Sequence, residues 1–151
     1  MMRAEIIRVA AKPPLALRDL LSRREPSYEF DENGFSLSGD IWRREGHVTP
    51  HTDDLGMDEL VIGYVLAAHG HTLVHGDQAL PLEAGTIYLL DPHQKHGVLG
   101  ADYTGILCCY IQSRPIRDRC KIDWDKFADE ALKAAWALVQ SPPPDNEEYL
   151  A

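Results

Sequence analysis

The chain has 151 residues and a formal net charge of −9, from 24 acidic and 15 basic residues. A domain of this length buries enough apolar surface to fold without disulfides, and three cysteines, two of them adjacent, are typical of reduced thiols. The acidic balance argues against a nucleic-acid partner, and no apolar run reaches the length of a membrane span. We therefore expect a soluble cytoplasmic protein without a nucleic-acid or membrane partner.

The N-terminal part of the chain predicts a strand, a short helix and a region of mixed signals. Residues 4–11 have the composition of a strand, which ends before Pro13 and Pro14. The run "LALRDLLSRR" has the leucine spacing of a short helix. Residues 28–46 combine a turn at "DENG" with partial alternation, which indicates strand and turn.

Residues 59–112 carry regular strand signals. Four short β-rich runs follow one another, separated by segments rich in Gly, Asp and Pro: "ELVIGYVLAA", "HTLVHG", "GTIYLLD" and "YTGILCCYIQ". No helix of useful length fits between them. Closely spaced short strands of this kind favour an antiparallel sandwich or barrel.

The C-terminal segment predicts a helix followed by a tail. Residues 123–140 place apolar side chains near one helix face, with Asp123 as the N-cap. We expect this helix to support a sheet or to form a homodimer contact. Residues 141–151, "SPPPDNEEYLA", are Pro-rich and acidic and are predicted to be disordered. The predicted fold is mainly β, a single barrel domain over residues 1–140 with helices at both flanks.

The stretch "HVTPHTDDLGMDE" places His51 and Asp53 just before an apolar run. On an extended segment the side chains of residues i and i+2 point the same way, so an imidazole and a carboxylate would aim at one point. His96, in "EAGTIYLLDPHQKHGV", could face them across the interior of a barrel. Two imidazoles and one carboxylate leave positions open on a divalent ion and suit non-haem Fe(II). The alternative is a solvated polar loop.

The order "PHTD … LVIGYVLA … TLV … PLEAGTIYLLDPHQKHGV … YTGILCCYI" resembles the core of the Fe(II)/2-oxoglutarate-dependent oxygenases, in particular their prolyl-hydroxylase-like branch. The resemblance covers residues 40–112 and implies a double-stranded β-helix fold. It implies that His51, Asp53 and His96 bind Fe(II) and that the protein is a dioxygenase that hydroxylates a substrate with 2-oxoglutarate as cosubstrate. It further implies that Tyr64 contacts the cosubstrate carboxylate.

The sequence departs from this family at the cation that usually holds the distal carboxylate of 2-oxoglutarate. The position falls near Gly105, and no Lys or Arg follows it before Arg114. A buried carboxylate needs such a partner, and arginine supplies a bidentate one. Arg114, reaching in from the end of its strand, is therefore the predicted second cosubstrate contact. Lys95 is expected to point away from the metal histidine.

The same segment also resembles the cupins, which share this barrel and need no 2-oxoglutarate. A cupin pattern combines an upstream His-x-(His/Asp)…Glu with a Gly…Pro-x-x-x-His segment, and it implies Glu59 as a fourth ligand. Such a protein could be a dioxygenase, an isomerase or a small-ligand binder. A non-catalytic barrel that serves as a binding module is the third alternative. The substrate, a small molecule or a peptide, is not specified by the sequence.

The other histidines and cysteines have simpler interpretations. His93, three residues before His96, is the competing ligand. A second group of histidines lies in or after the "HGH" turn and is expected to be solvated, with a metal role as the alternative (His69, His71 and His75). Cys108 and Cys109 are expected to be packing residues. Asp54 alternates away from Asp53 and is expected to face solvent.

Overall fold

A computed structural model of the protein describes residues 3–23, 39–100 and 105–140. The predicted turn at "DENG" and the predicted disordered tail lie outside these residues. The strands within the described ranges are β1 (Glu5–Arg8), β2 (Asp40–Glu45), β3 (Val48–His51), β4 (Glu59–Ala67), β5 (Thr72–His75), β6 (Gln78–Pro81), β7 (Thr86–Leu90), β8 (His96–Leu99) and β9 (Ile106–Pro115). The helices are α1 (Leu15–Ser22), a 3-10 helix (Ile116–Lys121) and α2 (Trp124–Gln140).

The strands form two antiparallel sheets. Sheet A has the order β1-β7-β4-β9-β2, and sheet B has the order β3-β8-β5-β6. Strands β2 to β9 therefore divide into two groups of four, with β2, β9, β4 and β7 in one sheet and β3, β8, β5 and β6 in the other. This is the strand order of a jelly roll, or double-stranded β-helix, which the cupins share. The predicted fold class is confirmed.

Sheet A is buried on both faces because each face packs against a different layer. Strands β4, β7 and β9 consist almost entirely of buried residues. Along β4, Val61 and Val65 pack towards sheet B, whereas Ile62 and Tyr64 pack towards the helices. The two cores of the molecule are therefore separated by a single sheet.

The helices α1 and α2 cover the outer face of sheet A. Leu17 and Leu21 of α1 are fully buried there, and Leu15 on the same helix is exposed. The helix α2 begins where predicted, since the backbone N–H of Lys126 donates to Asp123 Oδ1 at 3.2 Å. Its buried face is made mostly of alanines (Ala128, Ala131 and Ala135, with Phe127), which let the helix approach the sheet closely. None of the described helices has the length and hydrophobicity needed to span a membrane.

Candidate metal centre and cavity

His51 and His96 lie side by side on neighbouring strands of sheet B. His51 is the last residue of β3, His96 is the first residue of β8, and the two are direct partners in the ladder. Their ring centroids are 4.7 Å apart. The expectation that they face each other across the barrel interior was wrong, because β3 and β8 are adjacent in one sheet. The two imidazoles are nevertheless close to each other, since directly paired residues lie on the same face of a sheet.

Asp53 follows β3 by two residues and is fixed by its own backbone. Its N–H donates to the carbonyl of Pro92 at 2.9 Å, which ties the segment after β3 to the turn that precedes His96. The register of β3 shifts between Val48 and His51. Such an irregularity re-aims side chains at the edge of a sheet.

The three side chains converge on one point. Asp53 Oδ2 lies 3.0 Å from His96 Nε2, and Asp53 Oδ1 lies 3.2 Å from His51 Nε2. One ligand atom from each residue can be chosen so that all lie within 4.8 Å of one another. Donor atoms about 2.1 Å from a shared ion are separated by roughly 3.0–3.4 Å when they subtend angles between 90° and the tetrahedral value. The separations of 3.2 and 3.0 Å lie in this range, each through a different oxygen of Asp53, so the three side chains are close enough to share an ion.

The backbone orients both imidazoles in the same way. His51 Nδ1 lies 2.8 Å from the carbonyl oxygen of Thr49, and His96 Nδ1 lies 2.8 Å from that of Gln94. A carbonyl oxygen only accepts, so each Nδ1 is the donor of its hydrogen bond. In a neutral ring the lone pair is then on Nε2, the atom aimed at Asp53. Metal-binding histidines are held by this kind of second hydrogen bond.

The electrostatics of the site favour the charged pair of Asp53 and His96 when no ion is bound. Burial opposes charge on His96, but the hydrogen bonds to Asp53 and to the Gln94 carbonyl, together with the negative charge of Asp53, outweigh it, and the pKa of His96 is raised above 6.5. Burial likewise opposes charge on Asp53, but His96 and then His51 outweigh it, and the pKa of Asp53 falls below 3.8. The carboxylate is therefore ionised at neutral pH, as a ligand of a divalent cation must be.

A cavity of about 360 Å³ lies between the two sheets, and the three side chains form part of its wall. Most of the remaining wall is apolar and comes from both sheets, with Leu90 and Leu107 on one side and Val98 on the other. This volume is at the small end of the range for ligand pockets. Pockets for small molecules commonly combine a few polar groups with a largely apolar lining, as this cavity does.

Tyr88 forms part of the cavity wall and spans three strands of sheet A. Its ring lies over Gly63, where a Cβ atom would come within 2.2 Å of the ring. Its hydroxyl is in hydrogen-bond contact with the thiol of Cys109. Burial raises the pKa of Tyr88 well above its ordinary value. The hydroxyl consequently keeps its proton at any physiological pH.

Comparisons with known proteins find a resemblance in structure but not in sequence. No protein-family model matches the chain, and no curated protein matches it significantly. A cupin-2 domain protein from Shewanella frigidimarina is similar in structure, with 17% identity and a TM-score of 0.44 over 64% of this chain and 89% of that one. A cupin-2 domain-containing protein from Halorhodospira halophila has 12% identity and a TM-score of 0.41 over 84% and 92% of the two chains. At these values neither protein says what the cavity binds.

Tyr64 and Arg114, the predicted cosubstrate contacts, do not reach the cavity. Tyr64 is fully buried on the helix side of sheet A, and its hydroxyl donates to the carbonyl of Ala11 at 2.9 Å. Arg114 donates through Nε to Gln112 Oε1 at 2.8 Å, and Gln112 in turn donates to the hydroxyl of Tyr110, which also lies on the helix side. Both predictions are corrected, because each residue has the strand parity that points away from sheet B.

Glu59 and His93, the alternative ligands, make other contacts. Glu59 Oε2 accepts a hydrogen bond from Ser113 Oγ at 2.7 Å. His93 bridges Asp91 Oδ1 and the carbonyl oxygen of Leu55, at 2.9 Å each. Neither is grouped with the three converging residues. His93 instead joins the segment after Asp53 to the turn before β8.

The second histidine cluster is only partly solvated. His69 is exposed, as expected of a turn residue. His71 and His75 are 1% exposed, and the expectation of solvation was wrong for both. His75 Nε2 donates a hydrogen bond to the carbonyl of Asp91 at 3.0 Å. This contact joins β5 to the turn before β8.

Several simpler predictions are confirmed. Cys108 and Cys109 are fully buried, and burial raises the pKa of the Cys108 thiol to about 12. Asp54 and Lys95 are exposed.

Two cavity residues, Trp42 and Arg44, were not predicted from the sequence. They are two positions apart on β2, so they share a face, and both line the cavity. Arg44 pairs with Leu107 of β9. Arg44 therefore places a cation in the cavity wall, on the strand next to the one that follows His96. The sequence signal was the run "RRE", but nothing in it shows that β2 pairs with β9.

Proposed function

We propose that the protein is a cupin-type metalloenzyme in which His51, Asp53 and His96 hold one divalent ion, Fe(II), beside the cavity. The convergence of two oriented imidazole Nε2 atoms on one half-buried carboxylate carries the proposal. Two nitrogen donors and one oxygen donor on one side of an ion suit non-haem Fe(II). The chain's part is to position these donors in the wall of a largely apolar cavity.

The residues around the ion determine how a ligand would be held. Bound Fe(II) would supply Lewis acidity and the capacity to react with oxygen. Val98 and Leu107 give the cavity an apolar wall, and the ring of Tyr88 forms another part of it. We infer a substrate that is small and largely apolar, converted by a dioxygenase or isomerase reaction at the ion.

Hydroxylation with 2-oxoglutarate is the narrower form of this proposal. Tyr64 and Arg114, its two expected carboxylate contacts, lie outside the cavity. The form without 2-oxoglutarate is therefore the one we propose first. The reduced thiols also lead us to propose a reducing compartment, the cytoplasm.

Anaerobic calorimetric titration of Fe(II) into chelator-treated protein tests the metal site. We expect one equivalent to bind per chain, and we expect Asp53→Asn and His96→Ala to weaken binding by at least about 100-fold, more than the loss of an outer-shell partner would. Asp54→Asn is the matched control, because Asp54 is adjacent and exposed. Failure of the wild type to bind, or equal binding by all four proteins, would refute the proposal.

The same sample separates the two forms of the enzyme. Addition of 2-oxoglutarate to the Fe(II)-loaded protein under nitrogen produces a weak visible charge-transfer absorption if the 2-oxo acid chelates the ion. We expect no such band. Its appearance, together with its loss in His96→Ala, would establish the oxygenase form instead.

A further inference from the structure

Arg44 gives the cavity a positively charged side chain. Among the described residues that line the cavity, Arg44 is the only Lys or Arg, and it is half-buried. The other charged groups in the lining belong to the candidate metal centre. The two chemical features of the cavity are thus a guanidinium on sheet A and a three-residue cluster on sheet B.

Trp42 lies beside Arg44 and has the same orientation. Both side chains project into the cavity from β2, and Trp42 packs against the inner core. A flat indole next to a guanidinium provides an apolar surface directly beside an anion-binding fork. A ligand with an apolar body and one anionic end fits both groups at once.

The polarity of the cavity favours a single negative charge on that ligand. A phosphate monoester carries about 1.5 to 2 negative charges at pH 7. A cavity of this size with a mostly apolar wall stabilises a second charge poorly. The net charge of −9 also repels polyanions.

From these observations we propose that the cavity binds a small monocarboxylic acid whose carboxylate pairs with Arg44 and whose apolar body lies against Trp42. The proposal deepens the proposed function, since it names the substrate class of the same site. The carboxylate contact itself needs no metal. It can therefore be tested on the ion-free protein, where failure of the metal proposal does not affect the result.

The experiment follows chemical shift changes of the ion-free full-length protein during titration with three acids and their neutral amides. The probes are propionate, benzoate and 3-phenylpropionate, each paired with its amide of nearly the same shape. We expect 3-phenylpropionate to bind more than about tenfold more tightly than its amide, because a bidentate Arg–carboxylate pair is charge-assisted and the amide lacks the charge. We also expect propionate, which has little apolar surface, to bind most weakly of the acids.

Substitutions of Arg44 test whether this residue causes the preference for acid over amide. Arg44→Gln should remove the preference for acid over amide, and Arg44→Lys should restore part of it. Arg8→Gln is the control, since Arg8 is an exposed arginine that pairs with Glu83 outside the cavity. Fe(II) titration of Arg44→Gln should give the wild-type affinity, which separates the carboxylate contact from the metal site.

Three results would overturn the proposal. The first is that no acid of the set binds more tightly than its amide. The second is that Arg44→Gln retains the preference for the acid. The third is that a dicarboxylate, 2-oxoglutarate, binds the ion-free protein more tightly than 3-phenylpropionate does, which would mean that the cavity does not select an apolar body.

Discussion

Asp53 interacts with both histidines of the candidate centre through its two carboxylate oxygens. In the ion-free protein the Asp53 carboxylate itself is the partner of both Nε2 atoms. The pair of Asp53 and His96 is well shielded, with 8% of the His96 side chain exposed. The pair should therefore contribute to the stability of the ion-free protein, and its contribution should depend on pH.

The direction of that dependence follows from the two pKa shifts. The pKa of His96 is raised above 6.5 in the folded state, so its contribution is complete below pH 6.5 and is lost as the pH rises through the folded value. The pKa of Asp53 is lowered below 3.8, so its contribution is complete above pH 3.8 and is lost as the pH falls through the folded value. Both contributions are present together between pH 3.8 and 6.5.

We therefore predict that Asp53→Asn destabilises the ion-free protein most between about pH 5 and 6. The expected loss is about 1.5 kcal/mol or more, the size of a hydrogen bond to a charged group. Urea unfolding in the presence of a chelator, at pH 5.5 and pH 9, measures it. The difference between wild type and variant should shrink at pH 9. A difference that is constant between the two pH values would mean that the pair is not charged.

The close approach of β3 to β8 determines the geometry of the candidate metal centre. Gly97, between His96 and Val98, lies under β3, and a Cβ atom there would be 2.5 Å from the carbonyl oxygen of Val48 and 2.9 Å from the backbone of Pro50. These neighbours are backbone atoms, so they can move only if β3 moves. Since β3 carries His51, the side chain at position 97 affects the geometry of the site without touching it.

Gly97→Ala should cost about 2 kcal/mol or more, as expected of an overpacked position that cannot relax. It should also weaken Fe(II) binding, because β3 must shift away from His96. Gly56→Ala is the matched control, since its Cβ would meet only the flexible Glu59 side chain, at 3.3 Å. Thermal unfolding and Fe(II) titration of both variants measure the effects. Unchanged Fe(II) affinity in a folded Gly97→Ala protein would show that the strand contact does not position His51.

The elements also show which features of the protein can be predicted from its sequence. The short β-rich runs follow from local composition, and the grouping of His51, Asp53 and His96 follows from the order of the motifs. The direct pairing of His51 with His96 on adjacent strands does not. The direction of Tyr64 does not, because β4 is buried on both faces and its apolar run has no alternation to mark the inner face. Arg114 on β9 was misassigned for the same reason. Arg44 was missed because its place in the cavity depends on the pairing of β2 with β9, which are far apart in sequence.

In the whole molecule, sheet A separates the core beneath the helices from the core that lines the cavity. The helix-side core contains Leu17 and Leu21 with residues of α2, and the cavity-side core contains Tyr88 and Leu107. Because packing on one side does not contact the cavity on the other, stability and ligand binding should respond separately to substitutions in the two cores.

Leu21→Ala tests this separation. Leu21 is fully buried, so its truncation should cost about 2–5 kcal/mol. The Fe(II) affinity of the Leu21→Ala protein should remain within about twofold of wild type at a temperature where this variant is folded. Leu20→Ala, at a neighbouring position that is 40% exposed, should cost less than Leu21→Ala. If Leu21→Ala loses Fe(II) affinity as well as stability, the two cores are coupled, and stability and metal binding do not respond separately.

We infer that the Nε2 atoms of His51 and His96 bind one ion while their Nδ1 atoms stay bonded to the backbone. Long-range proton–nitrogen NMR of the histidine rings measures both properties at once, with diamagnetic Zn(II) in place of Fe(II). We predict that one equivalent of Zn(II) shifts the Nε2 resonances of these two histidines alone and leaves both Nδ1 atoms protonated. Coordination through Nδ1, a response from His69, His71, His75 or His93 instead, or no response at all would show that the two Nε2 atoms do not share an ion.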